Sequence, residues 1–291
     1  MSFKVFVHNF ILSVLVFFTN VVIGQPDTEV YLFDLVLEDG TYMFQNKRNI
    51  SNNEGYDNQP YFYNDNQVLF ASTRNGQTDI ASYNIRDKTI NWINSTLQGS
   101  EYSPTKIPNK KAVSSIRLDT TGLQRLYEYS YKSGKNKELI KDLVIGYHTW
   151  YNKHIIISAV LEDGGLDLVV SNLKTKTNKT LVKKIGRSLH KTPNTNLVSF
   201  ISKEKEPWTI KSIDPVTGAI NTITEVIDGK EDMCWLLNGV IHMPSGNTIY
   251  YFNPNGEKTW KVLTTFDDPR LQKISRIAVN SLNNQIVLVS E

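Results

Sequence analysis

The sequence predicts an all-β fold, a six-bladed β-propeller closed by the N-terminal hairpin completing the last blade. Three observations lead there: a repeating unit of four short strands, two interleaved series of positions with near-constant spacing, and complementary half-units at the two ends of the repeat array. Four strands at a period of about 40 to 50 residues is the arithmetic of a propeller blade.

The clearest unit opens with Asp57-Asn58-Gln59-Pro60 and Tyr61-Phe62-Tyr63, then turns at Asn64 to Asn66 into Val68 to Ser72. Arg74-Asn75-Gly76-Gln77 leads to Asp79 to Tyr83, and a turn at Arg86 to Lys88 leads to Ile90 to Ile93. Gly and Asn at such turns supply the positive φ that tight hairpins require. Third strands are expected to begin near Val30, Asp79, Arg125, Asp167, Thr209 and Thr248, at gaps of 49, 46, 42, 42 and 39. First strands are expected near Pro60, Pro104, His148, His190, Cys234 and Ile277, at gaps of 44, 44, 42, 44 and 43. Runs such as Ile155 to Ala159, Leu197 to Ile201 and Gln285 to Val289 are apolar on both faces, as strands stacked between neighbouring sheets must be. No segment has sustained helical periodicity.

The ends then fit together. A hairpin, Val30 to Val36 and Thr41 to Ile50, comes before any inner strands, and an inner pair, Arg276 to Val279 and Gln285 to Val289, has no outer hairpin after it. Six full units result only when the first hairpin completes the last unit. That closure also removes two open sheet edges that would invite aggregation.

Asn58-Gln59-Pro60, Leu69 to Gly76 and Asp79-Ile80 together resemble the repeat of TolB-type, WD40-like propellers. Asp57 and Pro60 match that family's Asp-x-x-Pro start, and Phe70, Ser72, Arg74, Gly76, Asp79 and Ile80 match its second signature. Ser103-Pro104 is a fainter echo. The resemblance implies the propeller fold and protein–protein contacts in the bacterial periplasm. It does not specify a task, since propellers host many unrelated functions.

With 40% hydrophobic and 11% aromatic residues, the chain has the composition of an ordered globular domain. Its formal charge of +3 leaves no footprint of a nucleic-acid binder. Lysines cluster at Lys132 to Lys137 and Lys174 to Lys184, where the repeat places outer-strand turns. Residues 1–24 read as a signal peptide: Lys4 and His8 precede the apolar run Phe10 to Phe18, and Val22 and Gly24 suit a cleavage site before Gln25. No cysteine follows that run to carry a lipid anchor, and no stable membrane span is expected after cleavage. Residues 25–291 form the propeller in this division, and the protein is expected to be periplasmic or secreted. Cys234 is the lone cysteine and reads as a small buried apolar residue, so the fold rests on its core and not on a disulfide.

The chain carries no nucleophile elbow, phosphate-binding loop, zinc motif or calcium loop. In a propeller, distant residues can converge only where first strands line the channel. The candidate ligand-binding residues are therefore those at the first-strand entrances: Asp57, Glu101, His148, His190, Asp232 and Arg276, with Tyr56, Tyr102 and Tyr147. Tyr and Trp supply contact area at low entropy cost, and Tyr61, Trp150 and Tyr151 share these positions. Trp92, Trp208, Trp235 and Trp260 fall within strands and read as core. The reading that follows is a non-catalytic binding propeller with no required cofactor, whose partner is an envelope or secreted protein or a glycan-like ligand. The alternative is a lactonase or lyase using a divalent metal held by the two histidines and carboxylates in the central channel.

Overall fold

The computed structural model describes residues 25–291, so the signal-peptide segment lies outside the described residues. Among them the fold is all-β, in five antiparallel sheets, and the helical content is a single 3-10 turn at Pro269–Leu271. No helix among them is long and apolar enough to cross a membrane.

β1 (Glu29–Glu38) and β2 (Thr41–Asn49) form the first hairpin. β3 (Asp57–Asn64), β4 (Gln67–Arg74), β5 (Gln77–Asn84) and β6 (Thr89–Trp92) make one four-stranded sheet in sequence order. β7 (Gly99–Lys106), β8 (Ala112–Asp119), β9 (Gln124–Ser130) and β10 (Asn136–Ile140) make the next. A seven-stranded sheet follows, from β11 (Ile145–Asn152), β12 (Ile155–Glu162), β13 (Gly165–Asn172), β14 (Thr177–Lys191), β15 (Val198–Ser202), β16 (Thr209–Ile213) and β17 (Ile220–Glu225). β18 (Cys234–Trp235), β19 (Ile241–Ser245), β20 (Thr248–Phe252) and β21 (Lys261–Thr265) are again four-stranded. β22 (Ile274–Val279) and β23 (Gln285–Ser290) pair with the first hairpin in the order β2-β1-β23-β22. The β1–β23 register runs from Glu29↔Ser290 to Asp34↔Gln285.

The strands expected from the spacing lie where the sequence puts them, with one departure. In place of a separate outer and inner strand around residues 177–191, there is one continuous strand. β14 pairs with β13 through Ile185 and with β15 from Ile185 onward. Lys184 takes a left-handed φ of 52° at that handover. Neither proline nor a paired turn residue interrupts Lys179 to Lys191, so nothing forces the backbone to break. Gly186 follows the kink, and a Cβ there would stand 3.1 Å from Glu231 and 3.2 Å from Ile201.

Because successive strand residues point to opposite faces, each inner strand feeds two interfaces. Leu69 packs with Ile80, Val113 and Tyr129, whereas its neighbours Val68 and Phe70 pack with Leu32, Val287 and Val289. The apolar runs are apolar on both faces for this reason. Phe70, Phe200, Ile156 and Leu168 are fully buried, and each such side chain contributes roughly 2–3 kcal/mol of transfer free energy. Trp92 departs from its core expectation. It stands on the outer strand β6, 37% exposed, with the Arg74 guanidinium 4.2 Å from its ring.

Candidate functional site

The Asp-x-x-Pro segment has a local physical role. Proline has no N–H to give the ladder, so pairing slips where Pro60 and Pro104 sit, between Asn58 and Tyr61 and between Tyr102 and Thr105. Gln59 and Ser103, just before the prolines, take left-handed φ values of 57° and 50°. The two bulges meet, since the Ser103 N–H donates to Gln59 Oε1 at 2.8 Å.

The carboxylates that open these segments face into the sheets. Glu101 is buried and accepts from Asn94 Nδ2 (2.6 Å), Thr96 Oγ1 (2.6 Å) and Tyr129 OH (2.7 Å). Asn94 also donates to Asp79, which Arg74 pairs at 2.6 Å, so the Arg74 and Asp79 of the repeat signature belong to the same network. Asp57 is buried too, accepts from Asn53 Nδ2 at 3.3 Å, and leaves Oδ1 without a partner. Burial pushes both carboxyls up to about 7, against the pull of their side-chain donors.

The inner strands β3, β7, β11, β14, β18 and β22 surround a cavity of about 490 Å³. Tyr147, His148, His190, Asp232 and Arg276 line it, whereas Asp57 and Glu101 stand behind it in the structural networks. Near one end, Arg276 Nη1 donates to Asp232 Oδ2 at 2.7 Å and its Nε to Asn58 Oδ1 at 3.2 Å. Arg187 approaches the same Asp232 oxygen, its Nε 3.3 Å away but out of line for a hydrogen bond, while its Nη2 donates to the Ser275 carbonyl at 3.0 Å. Tyr147 faces the Arg276 guanidinium at 5.6 Å, and Tyr56 meets Tyr102 edge-on at 6.1 Å. Burial raises the Tyr56 hydroxyl to about 12. The two arginines oppose that shift, and Tyr147 and Tyr102 add to it. Burial works against the Arg276 charge, and Asp232 with the tyrosines more than offsets it, holding the guanidinium above its ordinary value.

The histidines are held as neutral hydrogen-bonding groups. His148 Nε2 lies 2.8 Å from both Thr105 Oγ1 and Ser114 Oγ, and burial lowers its pKa to about 3. His190 Nε2 lies 2.8 Å from Ser188 Oγ, and burial lowers its pKa despite Asp232. Among the described residues no three His, Cys, Asp or Glu side chains gather into a metal-holding group. Cys234 is buried on the cavity wall with its thiol pushed up by burial.

Trp150 and Trp235 are inter-strand ties. Trp150 Nε1 donates to Ser114 Oγ and Trp235 Nε1 to Ser199 Oγ, both at 2.8 Å. Between them the matching position, two residues after His190, is Thr192, and the Ser158 hydroxyl stays buried without a partner. Sequence reasoning missed Arg187, Lys106 and Lys191 on the cavity wall. Arg187 sits just past the basic run at Lys183-Lys184, a stretch that reads as solvated edge, and only the continuation of β14 carries it inward.

No family model and no curated protein sequence matches the chain. Solved structures match it in fold. A putative TolB from Agrobacterium tumefaciens superposes with a TM-score of 0.71 at 10% identity, over 92% of this chain and 99% of that one. TolB from Acinetobacter baumannii gives 0.56 at 12% identity, over 91% of this chain and 64% of that one. An oligogalacturonate lyase in complex with manganese gives 0.58 at 10% identity, over 90% of each chain. The fold is that of the TolB-type propellers, and at these identities the likeness concerns the fold alone.

Proposed function

We propose that this chain is an exported six-bladed propeller acting as a binding module of the bacterial periplasm or cell envelope, with residues 1–24 a cleaved leader. The six-blade count is supported by reading β14 as the outer strand of one blade and the inner strand of the next. Six apolar clusters, each between neighbouring four-stranded units, favour the same count. The pairing of β1 with β23 makes the first hairpin the outer half of the last blade.

The observation that carries the binding reading is convergence. Tyr147, Arg187, Asp232 and Arg276 come from four successive blades and line one cavity, and Tyr56 and Tyr102 meet edge-on near the start of the inner strands of the other two. Such a ring presents mixed aromatic and charged contacts to a protein segment or a glycan-like ligand. The test is cross-linked capture of partners from the native envelope by the mature protein, against a Tyr102→Ala/Tyr147→Ala variant. Partners lost in the variant support the reading, and partners captured equally by both count against the ring as the site.

A second reading, a metal-dependent lactonase or lyase, draws on His148, His190 and Asp232 lining one cavity. It requires stoichiometric divalent metal that disappears in His148→Ala/His190→Ala. In this fold Thr105 and Ser114 occupy His148 Nε2, which leaves Nδ1 as the ring nitrogen without a partner.

A further inference from the structure

The ring is divided by chemistry. Blades one to three contribute Tyr56, Tyr102 and Tyr147, and blades four to six contribute Arg187, Asp232 and Arg276. Two guanidiniums thus share one carboxylate, and the half-ring keeps an uncompensated positive charge. The remaining charged groups among the lining residues are Lys106 and the exposed Lys191, whose ammonium groups lie over the Tyr63 and Tyr151 rings, and Asp232 is the only acidic side chain among them. Glu231, next in sequence, does not reduce this excess. Its oxygens accept from the Arg187 backbone N–H and pair with Lys203. His148 and His190 add no charge near neutral pH, because burial holds both below their ordinary values.

Cations in a walled cavity are only weakly screened and repel one another, so a bound anion relieves them. Arg187 and Arg276 each leave a guanidinium nitrogen outside the bonds to Asp232, Asn58 and Ser275. Planar guanidiniums offer forked donors that match a carboxylate's two oxygens. Beside them on the cavity wall, Tyr147 presents its ring to the Arg276 guanidinium at 5.6 Å, a flat apolar face next to the paired cations. A cavity of about 490 Å³ admits a small ligand or a narrow chain end and excludes a nucleic-acid duplex.

We propose that the channel is a carboxylate site, in which Arg187 and Arg276 hold the acid group of a sugar-acid-like ligand and Tyr147 packs on its ring. This assignment rests on the channel being the binding site, and narrows that reading to one class of ligand.

The test is calorimetric titration of the mature protein with para-nitrophenyl glucuronide, its neutral counterpart para-nitrophenyl glucoside, and inorganic phosphate. The glucuronide is expected to bind at least about tenfold more tightly than the glucoside, with an advantage that shrinks as salt is raised. Arg187→Gln is expected to bring the two sugars to within about threefold of each other. This variant is preferred to one at the more buried Arg276, and its thermal melt is taken alongside to show that the fold persists. Tyr147→Ala is expected to weaken both sugars alike. Equal binding of the two sugars, a preference that survives Arg187→Gln, phosphate binding as tight as the glucuronide, or no binding of any probe would overturn the carboxylate site. Partner capture sensitive to Tyr102 and Tyr147 would still uphold the binding module in every one of those cases, so the two failures are separable.

Discussion

The β3–β6 and β7–β10 units place a buried carboxylate near the start of their inner strand, Asp57 and Glu101, whereas the inner strands β11 and β22 place Ile145 and Ile274 there. The same location in the fold is thus filled by two opposite solutions. Glu101 is buried because Asn94, Thr96 and Tyr129 converge on it; Ile145 is buried in an apolar cluster that includes its register partner Val160. A buried polar group is tolerated only with its partners present. The carboxylate blades therefore need several cooperating residues, which is why their sequence is recognisable, and the isoleucine blades need only volume.

The sharpest way to break the comparison is to exchange the solutions. Ile145→Asp places a carboxyl where no donors wait, and is expected to cost about 4 kcal/mol or more, read as the loss of a cooperative urea transition.

Next comes pH. Folded Asp57 and Glu101 have pKa values raised to about 7 by burial, above those of the unfolded chain, so the native state binds their protons more tightly. Their contribution to stability is full in acid, falls as pH rises from about 4, and is gone above about 7, a change on the order of 3 kcal/mol for each group. Asp268, whose hydrogen bonds to Arg270 and Lys47 hold its carboxyl below the usual range, acts in the opposite direction at lower pH. Urea midpoints across that window are expected to decline in the wild type and to flatten in Asp57→Asn/Glu101→Gln.

Glu101→Ala removes the acceptor of the Thr96 and Tyr129 hydroxyls and one of those of Asn94, and is expected to cost about 2 kcal/mol, whereas Glu101→Gln, which keeps an acceptor oxygen, costs less than half of that. The smallest effect belongs to the tryptophan ties. Trp150→Phe removes the bond to Ser114 at a cost of about 1 kcal/mol, measurable as a lowered thermal midpoint.

The same contrast explains what was legible in the sequence. Strand positions were, because a two-residue period and Gly or Asn turns recur wherever the chain must reverse. First-strand spacing also puts Tyr147, Asp232 and Arg276 on the cavity wall without any knowledge of contacts, whereas Tyr56 and Tyr102, expected beside them, do not line it. The inward carboxylates were read as channel residues because an acidic group at a strand entrance looks the same whether it faces water or a buried Asn94. Arg187 was missed for the converse reason: the turn expected between an outer and an inner strand is absent, and β14 carries the chain straight through. Trp92 was misplaced because a large aromatic in an outer strand can be accommodated by stacking on Arg74 at the surface.

The β1–β23 pairing also sets a clock. During synthesis β1 emerges among the first strands, yet its partner is made last, so one edge of the opening hairpin waits exposed while nearly all the remaining strands are laid down. Contacts this distant in sequence form slowly and late. Until Gln285–Ser290 is in place, β1 keeps an adhesive edge, so loss of that one strand would expose a pairing surface on an otherwise assembled sheet.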